Sequence, residues 1–342
     1  MSAEDTFAQA LEYHRTGHNQ EAGELCQKLI DGNPAHADAL HLLGMIAYQQ
    51  RQLDKAEELL HKAVDARPSA HFLSNLGNLY QEKQAFDKAK EYYQAAIKTD
   101  PQFVGAYNNL GNLLRQLNRV EEAVFQYQKA LRINPDFPDV HINLGNLFFD
   151  LKRLDKAAEH YQKALQLRPE AVEALNNLAS LHLQQERPEA AIELYQKALA
   201  LQPQFVPALM NLGNIYRSQQ QWDEALKTYQ QAIAAHPTLA DAHLQIARVY
   251  HLQDQLEQAE PAYHKALELN PALTEAANIL GTLYASRGQT GQALEMFQQS
   301  FQANPHDPDV CYNVGILLQQ LGQLDAAQAY LQRALQLQDT VV

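Results

Sequence analysis

The chain has 342 residues, 46% hydrophobic and 20% charged, which is enough apolar side chain for a packed core and unlike a disordered, charge-rich sequence. Its formal charge of -13, from 27 Lys and Arg against 40 Asp and Glu, offers no basic surface for counterion release, so nucleic acid is not an expected partner. The opening Met-Ser-Ala-Glu-Asp-Thr lacks a positive, apolar leader, no stretch approaches the roughly 18 apolar residues of a membrane span, and Cys26 and Cys311 match no CxxC spacing, so membrane insertion is not expected and a reducing, cytoplasmic location is.

Three residue combs organise the chain. Proline recurs at Pro34, Pro68, Pro101, Pro135, Pro169, Pro203, Pro237, Pro271 and Pro305, a spacing of 34 with one step of 33. A small residue follows each, at Gly44, Gly77, Gly111, Gly145, Ala179, Gly213, Ala247, Gly281 and Gly315. Alanine marks Ala22, Ala56, Ala89, Ala123, Ala157, Ala191, Ala225, Ala259, Ala293 and Ala327. The combs share one register and define ten units, at approximately 3–36, 37–70, 71–103, 104–137, 138–171, 172–205, 206–239, 240–273, 274–307 and 308–341, which predicts one repeat domain over 1–342.

In chain order, the first unit is irregular, with Ala10 at the glycine place and Leu29 at the second alanine place. His14 and His18 have the i, i+4 spacing that puts two ligands on one helical face, but Gly17 lies between them and no third ligand is near, so no metal is expected. The third unit carries the deletion, in the loop between Pro68 and Gly77. In the fourth, Tyr107, Leu110, Gly111 and Leu114 line one face of a helix A. Val120, Ala123, Tyr127, Ala130 and Leu131 do the same for a helix B, which Pro135 ends. Gly111 and Ala130 let the two backbones approach while Tyr127 fills the space beside them. Such a hairpin buries both its apolar stripes only by stacking on neighbours.

His141, His243, Cys26 and Cys311 fall on core places, where a cysteine acts as a small, inert hydrophobe. Pro188 opens a helix B, where proline is tolerated, whereas Pro261 sits about a turn further in and predicts a local irregularity. In the ninth unit Thr290 opens helix B and Ser300 takes the second alanine place. The tenth runs to Thr340, Val341 and Val342 without a polar capping helix, so self-association through this uncapped repeat is one expectation.

These residues resemble the tetratricopeptide repeat family, whose W-x2-L-G-x2-Y, A-x3-F, P pattern stands here as Leu209, Leu212, Gly213, Tyr216, Ala225, Tyr229 and Pro237. The resemblance covers the entire chain. It implies an all-α, right-handed superhelical solenoid of about ten helix-turn-helix repeats, with the free face of each helix A lining a concave groove.

Residues two before and one after each glycine lie, by helical geometry, opposite the core positions, on a side expected to be free of the core. Two before it stand Asn75, Asn109, Asn143, Asn177, Asn211 and Asn313, interrupted by Leu42, Gln245 and Ile279; one after it stand Asn78, Asn112, Asn146 and Asn214. An amide carries both the donor and the acceptor needed to grip a peptide backbone whatever its side chains. These ten asparagines are the candidate peptide-binding residues, although asparagine at both places is also common in the general consensus of the family. The ladder is similar to that of the repeat half of O-linked N-acetylglucosamine transferases. That resemblance implies an alternative role, the substrate-recognition region of a glycosyltransferase whose catalytic domain lies outside this chain.

A clamp for acidic C-terminal tails needs cations converging on the groove. Three before the glycine stand Ser74, Asn108, Ile142, Asn176, Met210, Leu244 and Asn278, none of them basic, and only Arg115 and Arg217 project from the groove side. A neutral or basic extended segment therefore suits the charge of the chain better. Asp38, Asp139, Glu173, Asp241, Glu275 and Asp309 begin A helices and complement their N-termini, with an acidic rim as the sharper alternative. No phosphate-cradling loop, nucleophile elbow or Ser, His, Asp set is present. The expectation is a non-catalytic scaffold, without cofactor, that binds an extended peptide or protein segment.

Overall fold

The computed structural model describes residues 2–339, and among these it holds twenty α-helices and no strand. By packing, the chain divides into two compact units, Met1–Ala174 and Leu175–Val342. The first unit contains five hairpins: α1 (Ala3–Arg15) with α2 (Asn19–Gly32), α3 (Ala37–Gln49) with α4 (Leu53–Ala66), α5 (Ala70–Glu82) with α6 (Phe86–Thr99), α7 (Val104–Gln116) with α8 (Val120–Ile133), and α9 (Pro138–Asp150) with α10 (Leu154–Leu167). The division falls in α11 (Val172–Gln184). The second unit continues with α12 (Pro188–Leu201), then α13 (Val206–Ser218) with α14 (Trp222–Ala235), α15 (Ala240–Leu252) with α16 (Leu256–Leu269), α17 (Thr274–Ser286) with α18 (Thr290–Ala303), and α19 (Pro308–Gln320) with α20 (Leu324–Asp339). The tail Thr340–Val342, on which the uncapped-end expectation partly rests, lies outside the described residues. None of the described helices is long and apolar enough to cross a membrane.

The same two devices bound the helices in repeat after repeat. Each B helix that precedes a comb proline stops two residues short of it. The intervening residue is extended, as at Asn134 (φ -135°, ψ 98°), because the pyrrolidine ring excludes helical backbone before it. Asn134 Oδ1 then accepts the backbone N–H of Asp136 at 3.0 Å, a turn repeated at Asn33, Asp100, Asn270 and Asn304. Between A and B the chain turns through a left-handed residue. Asn118, at φ 57°, lets the N–H of Arg119 reach back to the carbonyl of Leu114 at 2.8 Å, which satisfies a carbonyl that the helix end would leave bare.

The shortened step at Pro68 is absorbed in the loop, so α5 starts at Ala70, two residues after the proline rather than three. Pro188 opens α12 as expected. The irregularity expected at Pro261 is slight. Helix α16 runs on through it, and the first turn gains a tight bond from the Gln258 N–H to the Gln255 carbonyl at 3.1 Å.

Within the first unit α1 to α10 each pack on their neighbours in sequence, as α12 to α20 do in the second, and successive A helices also touch, as α5 with α7, α7 with α9 and α13 with α15. The core between A and B is built on the combs. Ala123, Tyr127 and Ala130 are fully buried, and a methyl group at Gly111 would stand 2.5 Å from Tyr127 Cε1. The glycine is the space that the tyrosine ring occupies. Cys26 and Cys311 are buried and unpaired.

Polar contacts at the edge of the core also link repeats. Tyr80 donates to Glu57 Oε1 at 2.7 Å and lies 3.0 Å from His61 Nε2, while Lys83 holds the other carboxylate oxygen. Tyr284, Glu260, His264 and Arg287 repeat the arrangement in the second unit.

Candidate functional site

All ten candidate asparagines are half-buried, which corrects the expectation that their side of helix A is free of packed neighbours. The physical reason is the close approach at the glycine: the tyrosine of helix B crosses over it and brings its hydroxyl to the far side of helix A. Tyr93, Tyr127, Tyr161 and Tyr229 donate to the Oδ1 atoms of Asn78, Asn112, Asn146 and Asn214 at 2.8, 2.6, 2.8 and 2.8 Å. Burial pushes the pKa of these phenols up, so each remains a proton donor and needs an acceptor. The amide after the glycine is therefore held with its oxygen inward. Among the described residues the Nδ2 groups of Asn112 and Asn214 meet no protein acceptor, and they form the outward donor of this stripe.

The stripe before the glycine has the opposite orientation. Asn109 Nδ2 donates to Ser74 Oγ and to Asn78 Oδ1, both at 3.1 Å, and Asn143 Nδ2 donates to Asn108 Oδ1 at 2.8 Å. Asn75 Nδ2 donates to His41 Nε2 at 2.8 Å, which requires that ring nitrogen to be unprotonated. Each of these amides thus ties its helix to the A helix of the preceding repeat. Among the described residues the Oδ1 atoms of Asn109 and Asn143 accept no protein hydrogen bond, their nitrogens being the bonded atoms, and they are the outward acceptors. In the second unit Asn177 Oδ1 accepts from Asn176 Nδ2 at 3.0 Å, and Asn211 is hydrogen-bonded to the hydroxyl of Tyr195. Asn313 is half-buried on α19.

A polar concavity of about 500 Å³ opens on this face of the first unit, walled by Tyr48, Asn78, Gln81, Glu82, Gln84 and Gln116. Gln81 Oε1 also lies 2.8 Å from the Tyr93 hydroxyl, and Gln81 Nε2 donates to Gln116 Oε1 at 2.8 Å. The glutamines of this network are not among the expected site residues, and Tyr127 and Tyr229 are expected as packed rings rather than as hydrogen-bond donors to the asparagines. A signal for the tyrosines exists in the chain: the residue after the glycine and the one fifteen beyond it change together. Asparagine goes with tyrosine, whereas Thr282 goes with Phe297, Ile316 with Leu331 and Met45 with Leu60.

Among the described residues Arg248 joins the two cations expected on this side. Arg115 Nε lies 3.3 Å from Asp150 Oδ2, Arg217 has a buried Nε with no acceptor, and Arg248 stands at the place after Ala247 and binds Glu275. Of the acidic residues that begin A helices, Asp38 pairs with Arg67, Asp139 with Arg168 and Glu275 with Arg248, so half of that rim is already neutralised. His14 and His18 do not share a helical face: α1 ends at Arg15, and Gly17 turns the chain at φ 83° before α2. His14 Nδ1 lies 2.8 Å from Asn19 Oδ1 and His18 Nδ1 lies 2.9 Å from Thr16 Oγ1.

Family models of tetratricopeptide repeats match residues 13–76, 70–103, 92–125, 111–151 and 136–204. A model described as the C-terminal domain of cilia and flagella-associated protein 70 matches residues 171–342. A curated relative, Protein O-mannosyl-transferase TMTC1 of Mus musculus, is 29% identical over 96 residues, 27% of this chain. The chain spans about a tenth of the length of that relative (10%). Among solved structures, the Cut9-Hcn1 hetero-tetramer of the APC/C is similar with a TM-score of 0.61 and 21% identity, over 80% of this chain and 54% of that one. Pseudomonas aeruginosa pilF is similar with a TM-score of 0.54 and 22% identity, over 59% of this chain and 92% of that one. At these identities the likeness is one of fold.

Proposed function

The chain belongs to the tetratricopeptide-repeat family, and on that premise we propose that it is a non-catalytic interaction scaffold whose A-helix face in the first unit takes an extended protein segment. The observation that carries this reading is the opposed polarity of the two asparagine stripes. Asn109 and Asn143 turn oxygens outward because their nitrogens are used between repeats, and Asn112 turns a nitrogen outward because its oxygen is used by Tyr127. An extended backbone offers N–H and C=O groups in alternation, and such a face pairs with both. Each contact contributes roughly 0.5 to 1.5 kcal/mol net, so several act together. The overall charge of -13 favours a neutral or basic segment.

The test exploits the fixed orientation. Asn112→Asp keeps the oxygen that Tyr127 needs and replaces the outward donor by an acceptor. Wild type and variant, immobilised side by side, are used to capture proteins from a cell lysate. The expected result is a partner held by the wild type and lost from an Asn112→Asp protein of unchanged melting temperature. Identical captures by Asn112→Asp and by Asn109→Ala with Asn143→Ala would overturn the proposal.

The match to an O-mannosyl-transferase relative favours a second reading, in which the chain recognises substrate for a glycosyltransferase domain carried elsewhere. Continuation of the native reading frame into such a domain is the observation that decides for it.

A further inference from the structure

On α17 of the second unit the asparagine pattern of the A helices stops: Ile279 and Thr282 hold the two stripe places beside Gly281. A concavity of about 380 Å³ opens there. Leu256, Ile279 and Leu283 form the apolar part of its wall, and Asp254 joins it from the loop between α15 and α16. His251 of α15 lines it too, with Nδ1 3.4 Å from the Tyr263 hydroxyl.

The oxygens of this wall are acceptors. Thr282 Oγ1 donates its one hydrogen to the Asn278 carbonyl at 2.9 Å, and Ser286 Oγ donates to the Leu283 carbonyl at 2.7 Å, so both hydroxyls have only lone pairs left. Asn278 Oδ1 is buried without a donor. In the first unit the corresponding oxygen of Asn108 is met by Asn143 Nδ2 of the next repeat at 2.8 Å. Asn313 stands at the place of Asn143 and makes no such bond to Asn278. Asp254 adds an exposed carboxylate that has no ion-pair partner among the described residues. A buried acceptor is costly to leave unpaired, and acceptors beside an apolar wall suit a ligand that only donates. Asn278, Thr282 and Ser286 recur every four residues, so their oxygens form a row along one face of α17 with a spacing of about 6 Å. The adjoining concavity holds Arg217 and Arg248, neither of which lines this one. Arg248 is bound by both oxygens of Glu275, and Arg217 is hydrogen-bonded to Tyr229.

We propose that this concavity takes the side chain of a lysine in a partner polypeptide. The lysine backbone N–H meets Asn278 Oδ1, the four-carbon stem lies along Ile279, Leu283 and Leu256, and the ammonium donates to the hydroxyl oxygens of Thr282 and Ser286 with Asp254 as its counter-charge. Single oxygens spread along a helix suit a compact ammonium with three rotatable donors, whereas the planar fork of a guanidinium is matched by a carboxylate taken end-on. The chain's charge of -13 attracts such a segment. The site is read from the second unit alone, so it stands whether or not the asparagine face of the first unit binds a segment.

The test uses the full chain and four fluorescein-labelled, amidated peptide pools read by fluorescence anisotropy. Their sequence is Gly-Ser-X-Z-X-Ser-Gly, with X randomised and Z lysine, norleucine, Nε-acetyl-lysine or arginine. Roughly fivefold or more tighter binding of the lysine pool than of the other three is expected, the size of a single exposed charge contact. Asp254→Asn should remove most of that preference, and Thr282→Ala with Ser286→Ala should do so with the turn at Asp254 intact. Asn278→Leu should weaken the lysine and norleucine pools alike. Asn112→Asp should leave the preference as it is, which separates this site from the face of the first unit. Equal binding of the lysine and norleucine pools, no binding of any pool, arginine bound as tightly as lysine, or a preference unchanged in folded Asp254→Asn and Thr282→Ala/Ser286→Ala proteins would overturn the proposal.

Discussion

Tyr127 donates its hydroxyl to Asn112 Oδ1 at 2.6 Å, fifteen residues back along the chain and across the glycine where helices A and B come closest. The bond holds an amide on one surface by a phenol buried beneath it. Asn112→Leu would strand that hydroxyl in the core and is expected to cost roughly 1 to 3 kcal/mol, whereas Tyr127→Phe in the same background should recover most of the loss. Melting temperatures of the wild type, Asn112→Leu, Tyr127→Phe and the double variant check this. Additive losses would show that the two side chains act separately.

The turn between A and B depends on backbone conformation more than on side-chain chemistry. Gly17, Gly288 and Gly322 occupy its left-handed position, as do Arg51, Gln84, Asn118, Lys152, Glu186, Gln220 and Asp254 at φ 57° to 61°. A side chain there costs about 1 kcal/mol or more. Gln220→Gly should therefore raise the unfolding temperature and Gly17→Ala should lower it. Asn118→Gly should do little, because asparagine tolerates this conformation. Thermal unfolding followed by circular dichroism distinguishes the three.

The hairpins are legible in the sequence because residues that pack in every repeat must recur in every repeat. Gly111, Ala123 and Pro135 each meet a geometric demand that the stack imposes at each step. The left-handed turn is invisible to the same reading, since seven of its ten positions lack glycine. The asparagine stripes are visible as stripes, but their meaning is not. A polar residue on a helix face reads alike whether it meets water or the hydroxyl of a neighbouring tyrosine. Only the joint change of positions such as Thr282 and Phe297 separates the two cases. Arg248, one residue after Ala247, is tied to Glu275 on the next A helix, a contact between repeats that the register alone does not announce.

His41 links acidity to the stability of the first unit. Burial pulls its pKa down to about 4, the neighbouring His71 adds to the effect and Asp38 opposes it. A folded-state value below the unfolded one means that the unfolded chain binds the proton first. The stabilisation is therefore present above the ordinary histidine range and is lost as pH falls from about 6.5 towards 4. The same acidification breaks the bond from Asn75 Nδ2 to His41 Nε2. Unfolding free energies from denaturant titrations at pH 7 and 4.5 should differ by on the order of 1 to 3 kcal/mol more in the wild type than in His41→Gln. Equal pH dependence in the two proteins would assign the effect to other groups, such as His160, whose pKa burial also lowers.

The two cysteines test whether the repeats behave as near-neighbour units. Cys26 and Cys311 are fully buried, and burial pushes the Cys26 thiol up to about 12 and raises that of Cys311. Both should react with a thiol reagent at pH 8 far more slowly in the folded chain than in urea. In a stack stabilised by neighbouring repeats, each thiol becomes accessible through opening of its own end rather than through global unfolding. A methyl group at Gly281 would stand 2.9 Å from the Phe297 ring, so Gly281→Val should loosen the repeat next to the one that carries Cys311. Labelling of Cys311 in that variant is expected to accelerate while labelling of Cys26 keeps its wild-type rate. Equal acceleration at both cysteines would mean that the chain opens as one cooperative body.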